Sequence, residues 1–201
     1  MTGKVFILSA PSGAGKTSLA KALVATMPKL RVATSHTTRR PRPGEREGVD
    51  YYFVDEARFR AMVDASEFLE YARVFDHYYG TARAEIERLL AQHNDVILDI
   101  DWQGARTIKQ KLKHARSVFI LPPSREALAQ RLARRRQDSQ DVIDRRMRAA
   151  VSEMEHYREF DHLVLNDDFA AALEDLKAIV DGEPQRARPF RLDMATLLDA
   201  G

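Results

Sequence analysis

The 201-residue chain has no cysteine, almost no net charge (+2) and no apolar run that approaches the ~18 residues of a membrane span. The absence of cysteine excludes a disulfide scaffold, a thiolate zinc site and a cysteine nucleophile, and is compatible with a reducing compartment. From Met1-Thr2-Gly3-Lys4 only a short apolar stretch leads to Pro11, too little for a signal peptide. The expectation is a soluble, cytoplasmic protein. There is no internal repeat and no low-complexity tract. With 44% apolar residues the chain can build a packed core despite 31% charged residues, and its length suits one large domain or a core with small insertions.

The small net charge hides an uneven distribution. Residues 31 to 46 hold Arg31, Arg39, Arg40, Arg42 and Arg46 against Glu45 alone. Residues 125 to 148 hold eight arginines against Glu126, Asp138, Asp141 and Asp144, so each segment carries +4 and the remainder −6. A nonspecific nucleic-acid surface would spread lysine and arginine over a wide face. Two compact arginine segments on an acidic body fit pockets for small anions better, because guanidinium forks grip phosphate bidentately. For residues 125 to 148, solvated helix faces are the alternative.

Hydrophobic spacing predicts a strand over 5–9, a helix over 17–27, a strand within 31–38 and then a Pro41, Pro43, Gly44 turn cluster. Residues 50–81 break the alternation: strand-like 51–54, a short helix 55–64, extended 68–75 and a closing Tyr78-Tyr79-Gly80 turn, together a small α+β insertion. Helices over 82–92, 103–112, 124–134, 141–157 and 169–180 then alternate with strands over 96–100, 117–121 and 163–165. The continuously apolar strands imply a parallel sheet covered on both faces. From Gly182 onward the expectation is a loosely held tail.

Between the first strand and first helix lies Ala10-Pro11-Ser12-Gly13-Ala14-Gly15-Lys16-Thr17. A phosphate-binding loop belongs at this place, since a helix N-terminus directs N–H groups and a positive dipole end at an anion. Lys16 can reach β and γ oxygens and Thr17 can ligate Mg²⁺. Ala10 stands where the full pattern has glycine; a glycine helix cap with an exposed lysine is the bland alternative. A second apolar strand ends Leu98-Asp99-Ile100-Asp101 at the sheet edge where ligands bind in such folds. Carboxylates there can hold the water shell of Mg²⁺ or orient an acceptor, and for Asp101 an N-cap is the alternative.

In order, the blocks are the loop 10–17; Ser35-His36-Thr37-Thr38-Arg39-Arg40-Pro41-Arg42-Pro43-Gly44-Glu45; Gly48-Val49-Asp50-Tyr51; Phe68-Leu69-Glu70; Tyr79-Gly80-Thr81; Leu98 to Gly104; and Asn166-Asp167-Asp168. From residue 4 to 181 this closely resembles the guanylate kinases, which transfer the γ-phosphoryl group of ATP to GMP. The resemblance implies a P-loop NTPase-type three-layer α/β/α core over 1–34 and 82–181, a GMP-binding insertion over 35–81 and a helical lid near 134–149. It implies guanine contacts from Ser35, Glu70 and Thr81, with Gly80 and Asp101 also at the acceptor, and a GMP-phosphate clamp of Arg39, Arg42, Tyr51 and Tyr79. It implies ATP on residues 10–17 with Asn166 near the adenine, and Mg²⁺ on Thr17 and Asp99. Lys16, Arg39, Arg131, Arg135 and Arg146 would stabilise charge on the transferring group.

Departures from the family pattern are Ala10, Asp76 before the tyrosines, and Arg134 and Arg136 beside Arg135. The expected partners are ATP and GMP, with no nucleic acid and no membrane, and the oligomeric state is not legible. Rival readings are a relative acting on a ribose bisphosphate, a non-catalytic guanylate-kinase-like module and a nucleic-acid binder.

Overall fold

The computed structural model describes residues 3–74, 76–133 and 140–198, without the side chains of 140 and 141. In chain order its elements are β1 (Val5–Ser9), α1 (Lys16–Thr26), β2 (Leu30–Val32), β3 (His36–Thr37), β4 (Tyr52–Phe53), α2 (Glu56–Asp64), β5 (Phe68–Val74), β6 (His77–Ala82), α3 (Arg83–Ala91), β7 (Asp95–Asp99), α4 (Trp102–Lys111), β8 (Arg116–Leu121), α5 (Arg125–Ala133), α6 (Gln140–Met154), β9 (His162–Leu165), α7 (Phe169–Asp181) and α8 (Met194–Leu198). Short 3₁₀ helices occupy Glu155–Glu159 and Pro184–Arg186. Among the described residues no helix is long and apolar enough to cross a membrane.

Two compact units share β1: Met1–Ile7 with Pro28–Ala115, and Leu8–Met27 with Arg116–Gly201. In the first, β7 lies between β2 and β1, and β2 pairs with it in parallel. A separate four-stranded sheet runs β4-β3-β6-β5. In the second unit β8 and β9 pair in parallel, Val118 opposite His162 through Leu121 opposite Leu165. The apolar runs of β7 and β8 are buried along their length, as parallel strands covered on both faces require. The result is the α/β class with a parallel sheet.

Aspartates fix several helix starts. Asp55, Asp101 and Asp168 accept hydrogen bonds from Arg58, Gly104 and Ala171 amides at the heads of α2, α4 and α7. Gly15, ahead of α1, contributes no side-chain cap and sits in the left-handed region.

The structure departs from expectation in three places. The predicted strand within 31–38 is two strands in different sheets: the Ala33 amide still bonds Ile97 O, whereas Ser35 O already accepts from Tyr52, so the chain changes partner between them. Tyr78-Tyr79-Gly80 is not a turn but the middle of β6, where Gly80 pairs with Tyr71, Tyr79 with Ala72 and Tyr78 with Arg73. Gly80 has another purpose there: a β-carbon would sit 2.9 Å from Phe68 Cδ1 and 3.1 Å from Phe59 Cζ. These rings stack at 4.6 Å and belong to the buried cluster under this sheet. Lastly, residues 183–198 are held rather than loose. Leu197 is 3% exposed and packs in one cluster with Leu128, Leu132, Ala150 and Met154, with Phe190, Leu192 and Met194 against it. Alternating leucine, methionine and phenylalanine among charges gave too short a pattern to reveal this.

Gly80→Ala should lower stability by about 1–3 kcal/mol through overpacking against Phe68 and Phe59, read from a denaturant midpoint. A midpoint equal to wild type would show that the rings yield freely.

Candidate active site

The loop 10–17 lies within the second unit. Gly13 and Gly15 have φ of 90° and 95°, where a side chain is strained. Space is closed as well: a β-carbon on Gly13 would meet Leu132 Cδ2 at 2.9 Å, and one on Gly15 would meet Asn166 Nδ2 at 2.6 Å. The buried Ala14 between them offers its carbonyl to Asn166 Nδ2 at 2.7 Å and to Arg131 Nη1 at 3.5 Å. Arg131 Nη2 donates to Asn166 O at 2.8 Å, and the Ser12 amide donates to Glu153 Oε2 at 2.9 Å. Lys16 opens α1 and Thr17 follows in its first turn, at the positive end of the helix dipole.

Two residues expected at ATP are engaged with the loop itself. Asn166 is 4% exposed and spends an amide hydrogen on Ala14. Arg131, in the last turn of α5, holds the Ala14 and Asn166 carbonyls. Arg146 is half-buried on α6, and Arg135 lies outside the described residues, as do Arg134 and Arg136. Glu153 was not singled out from sequence, where it is one acid among many on a charged helix.

The first unit brings Ser35, Glu70 and Thr81 together. Glu70 on β5 and Thr81 on β6 are cross-strand partners. Thr81 Oγ1 donates to Glu70 Oε1 at 2.6 Å and lies 3.0 Å from Ser35 Oγ. A hydroxyl has one hydrogen, so with Thr81 committed to the carboxylate, Ser35 is the donor in the second bond. Glu70 is 3% exposed, a position a carboxylate occupies only with hydrogen-bonding company. Helix α4 braces it: a β-carbon on Gly104 would stand 2.6 Å from Glu70 Oε2, and Lys111 Nζ donates to Leu69 O. Neither Gly104 nor Lys111 had been assigned a part from sequence.

Arg39, Tyr51 and Tyr79 also converge. Arg39 Cζ lies 5.4 Å from the Tyr51 ring centroid, and the two tyrosine rings are 6.0 Å apart. Arg39 Nη2 contacts both oxygens of Glu45, at 2.8 and 2.9 Å, and the Arg42 amide donates to Glu45 Oε2 at 2.7 Å. Glu45 is thus the organiser of the arginine block, a part that sequence reasoning did not give it. Thr37 and Thr38 seat the block: Thr37 Oγ1 donates to Tyr78 O and accepts the Arg39 amide, while Thr38 Oγ1 accepts the Tyr78 amide. Burial raises the Tyr51 phenol, and the negative charge of Asp99 adds to it, so Tyr51 remains a protonated donor. Burial pushes the Glu45 carboxyl upward, but the Arg39 and Arg42 hydrogen bonds outweigh it and hold Glu45 below the usual carboxylate range.

Asp99 closes β7. Asp101 takes the capping role left open from sequence: Oδ1 accepts from Gly104 N at 2.9 Å and Oδ2 from Gln103 Nε2 at 3.0 Å. Among the described residues there is no cluster of three or more His, Asp or Glu suited to a metal.

A family model, Guanylate kinase, matches residues 2–183. The chain belongs to the guanylate kinase family. It is 59% identical over 178 residues to the guanylate kinase of Methylococcus capsulatus, covering 89% of this chain and 87% of that one. It is 57% identical over 183 residues to that of Photorhabdus laumondii, covering 90% and 88%. The crystal structure of guanylate kinase from Anaplasma phagocytophilum superposes with a TM-score of 0.75 at 32% identity, covering 92% of this chain and 88% of that one. The fold is therefore that of the guanylate kinases, a P-loop fold.

In this guanylate kinase family member, the Arg39–Glu45 pair generates a pH prediction. Because the folded Glu45 carboxyl is depressed, its contribution is complete above the ordinary carboxylate range and is lost as pH falls through the folded value. Glu45→Gln should cost about 1–2 kcal/mol at pH 7, and the gap to wild type should shrink below about pH 4. Thermal melts of both proteins from pH 3 to 7 measure it; a gap independent of pH would show that the charge is immaterial.

Proposed function

We propose that this chain transfers the γ-phosphoryl group of ATP to GMP, giving ADP and GDP. The observation that carries the reading is the buried Ser35–Thr81–Glu70 chain, present in a member of the guanylate kinase family. A carboxylate accepts from guanine N1–H and the 2-amino group, and a hydroxyl can donate to O6. Adenine has a bare acceptor at N1 and an amino group at position 6, so both contacts fail. A buried polar site mismatched in this way can discriminate by ~10⁴-fold.

Arg39, Arg42, Tyr51 and Tyr79 are assigned to the acceptor phosphate. Two guanidinium groups and two phenol donors bind a dianion, and Glu45 would release part of its hold on Arg39 as phosphate takes its place. Gly80 and Asp101 support this acceptor region, the first through ring packing and the second by capping α4. The loop from Ala10 to Thr17 is assigned to the ATP phosphates, with Lys16 on the β and γ oxygens. Asn166 and Arg131 serve the loop by holding its Ala14 carbonyl. Arg131, Arg135 and Arg146 are assigned to charge on the transferring group.

The nucleophile is already a phosphate oxygen, so no strong general base is needed; alignment and charge neutralisation are the protein's contribution. Mg²⁺ would accompany ATP, because such an ion keeps several waters and binds through one or two protein oxygens together with substrate phosphates. Thr17 and Asp99 are hard oxygen donors of the kind such an ion accepts alongside water and phosphate. The ion would draw charge from the β and γ oxygens. We assign the reaction to the cytoplasm, in keeping with a chain without cysteine.

An acceptor panel with ATP tests the reading: GMP should be phosphorylated, and AMP and ribose bisphosphates should not. Absence of ADP release with GMP would overturn it. Glu70→Ala should reduce the GMP-over-AMP preference by ~10³-fold or more, and an unchanged preference would remove Glu70 from its role. Gly104→Ala, which crowds the Glu70 carboxylate, should raise KM for GMP by ~10-fold while leaving KM for ATP as it was.

A further inference from the structure

The segment after residue 183 lies beyond the family match, yet it reaches the turn that supports the phosphate loop. Arg188 uses its backbone and its guanidinium together. Its amide donates to Asp175 Oδ1 at 2.7 Å and Nε to Asp175 Oδ2 at 2.9 Å. Nη1 donates to Asp167 Oδ1 at 3.1 Å and Nη2 to Leu165 O at 3.0 Å. Asp175 is buried on α7 and is the anchor.

The two remaining contacts flank Asn166 in sequence, one on each side. Asn166 donates its amide from Nδ2 to Ala14 O, and its own backbone amide is tied to Leu121 O. A β-carbon on Gly15 would meet the same Nδ2 at 2.6 Å, so the position of the Asn166 side chain and the path of the loop constrain each other. The tail bears on the loop by a second route. Leu197, Phe190 and Leu192 pack in the cluster that contains Leu128 and Leu132, the two leucines a β-carbon on Gly13 would strike.

We propose that Arg188 is a positioning residue for the donor-nucleotide loop: it fixes the 165–167 turn, and through Asn166 the Ala14 carbonyl, so that the loop is preorganised for phosphate. A tail anchor alone would need only Asp175. The additional grip on Leu165 and Asp167 is what gives the contact a bearing on the loop. The fork geometry matters because one planar group reaches three acceptors in fixed directions, which a lysine ammonium cannot reproduce.

The proposal rests on the reading that residues 10–17 hold ATP, and its test therefore includes binding without turnover. Arg188→Ala should weaken ATP affinity in calorimetry without GMP by ~10-fold and raise KM for ATP alike, with KM for GMP within about twofold of wild type. Arg188→Lys keeps a cation beside Asp175 and should fold even if the alanine variant does not; it should recover only part of the ATP affinity. Asp175→Asn should weaken ATP affinity in the same direction, and the double variant should be no worse than Arg188→Ala, because the two act in one chain of contacts. Equal ATP affinity in wild type, Arg188→Lys and Arg188→Ala, or a parallel loss of ATP and GMP affinity, would overturn the proposal. A wild-type protein that binds ATP but leaves GMP unmodified would defeat the functional reading while the ATP titrations still decide the role of Arg188.

Discussion

When a loop turns successive amides toward a phosphate, its carbonyls are turned the other way and must find donors within the protein. Much of the second unit follows from that requirement at Ala14. The glycines on either side take left-handed conformations to make the turn, and Asn166 and Arg131 supply the donors. The Asn166 amide is tied in turn to Leu121 O at the end of β8, and Arg131 is carried by α5. The sheet supplies the stiffness and the side chains the satisfaction. A loop with the same glycines and no buried amide behind it would be free to relax.

The first unit solves a different problem, that of keeping charge where water is scarce. Glu70 is buried and Arg39 nearly so, and each is held by a partner of short reach: Thr81 for the first, Glu45 for the second. Pairing of this kind is costly to break and adds little net stability compared with an apolar core. Its retention makes sense as preorganisation, with donors and acceptors in place before a ligand arrives. The threonines of the arginine block do similar work for the backbone, tying it to Tyr78.

Local chemistry was legible in the sequence, and long-range contacts were not. Gly13 and Gly15 lie between a strand and a helix, and Asp101 precedes one; such features act within a few residues and can be read directly. The resemblance added residues that no spacing rule could assemble, and the structure does bring Ser35, Glu70 and Thr81 together, and Arg39, Tyr51 and Tyr79. The misreadings arose where the partner lies far along the chain. Residues 31–38 look like one strand because nothing local marks the change of sheet. Tyr78-Tyr79-Gly80 looks like a turn because glycine punctuates turns more often than it makes room for two phenyl rings. Glu45, Glu153, Lys111 and Arg188 are ordinary charges in sequence, and each acquires its part from an acceptor or donor that only folding supplies.

The direction of the hydroxyl chain has its own consequence. With Ser35 giving its hydrogen to Thr81, and Thr81 giving its hydrogen to Glu70, the hydroxyl relay ends at Ser35 in lone pairs. An incoming group that carries a hydrogen meets a receptive oxygen at once. One that carries only lone pairs, such as a ring carbonyl, must first turn the Ser35 rotor, which undoes the bond to Thr81 while no heavy atom changes place. Which groups Ser35 can meet would then be governed by the reorientation of one proton, a motion far faster than any movement of the backbone.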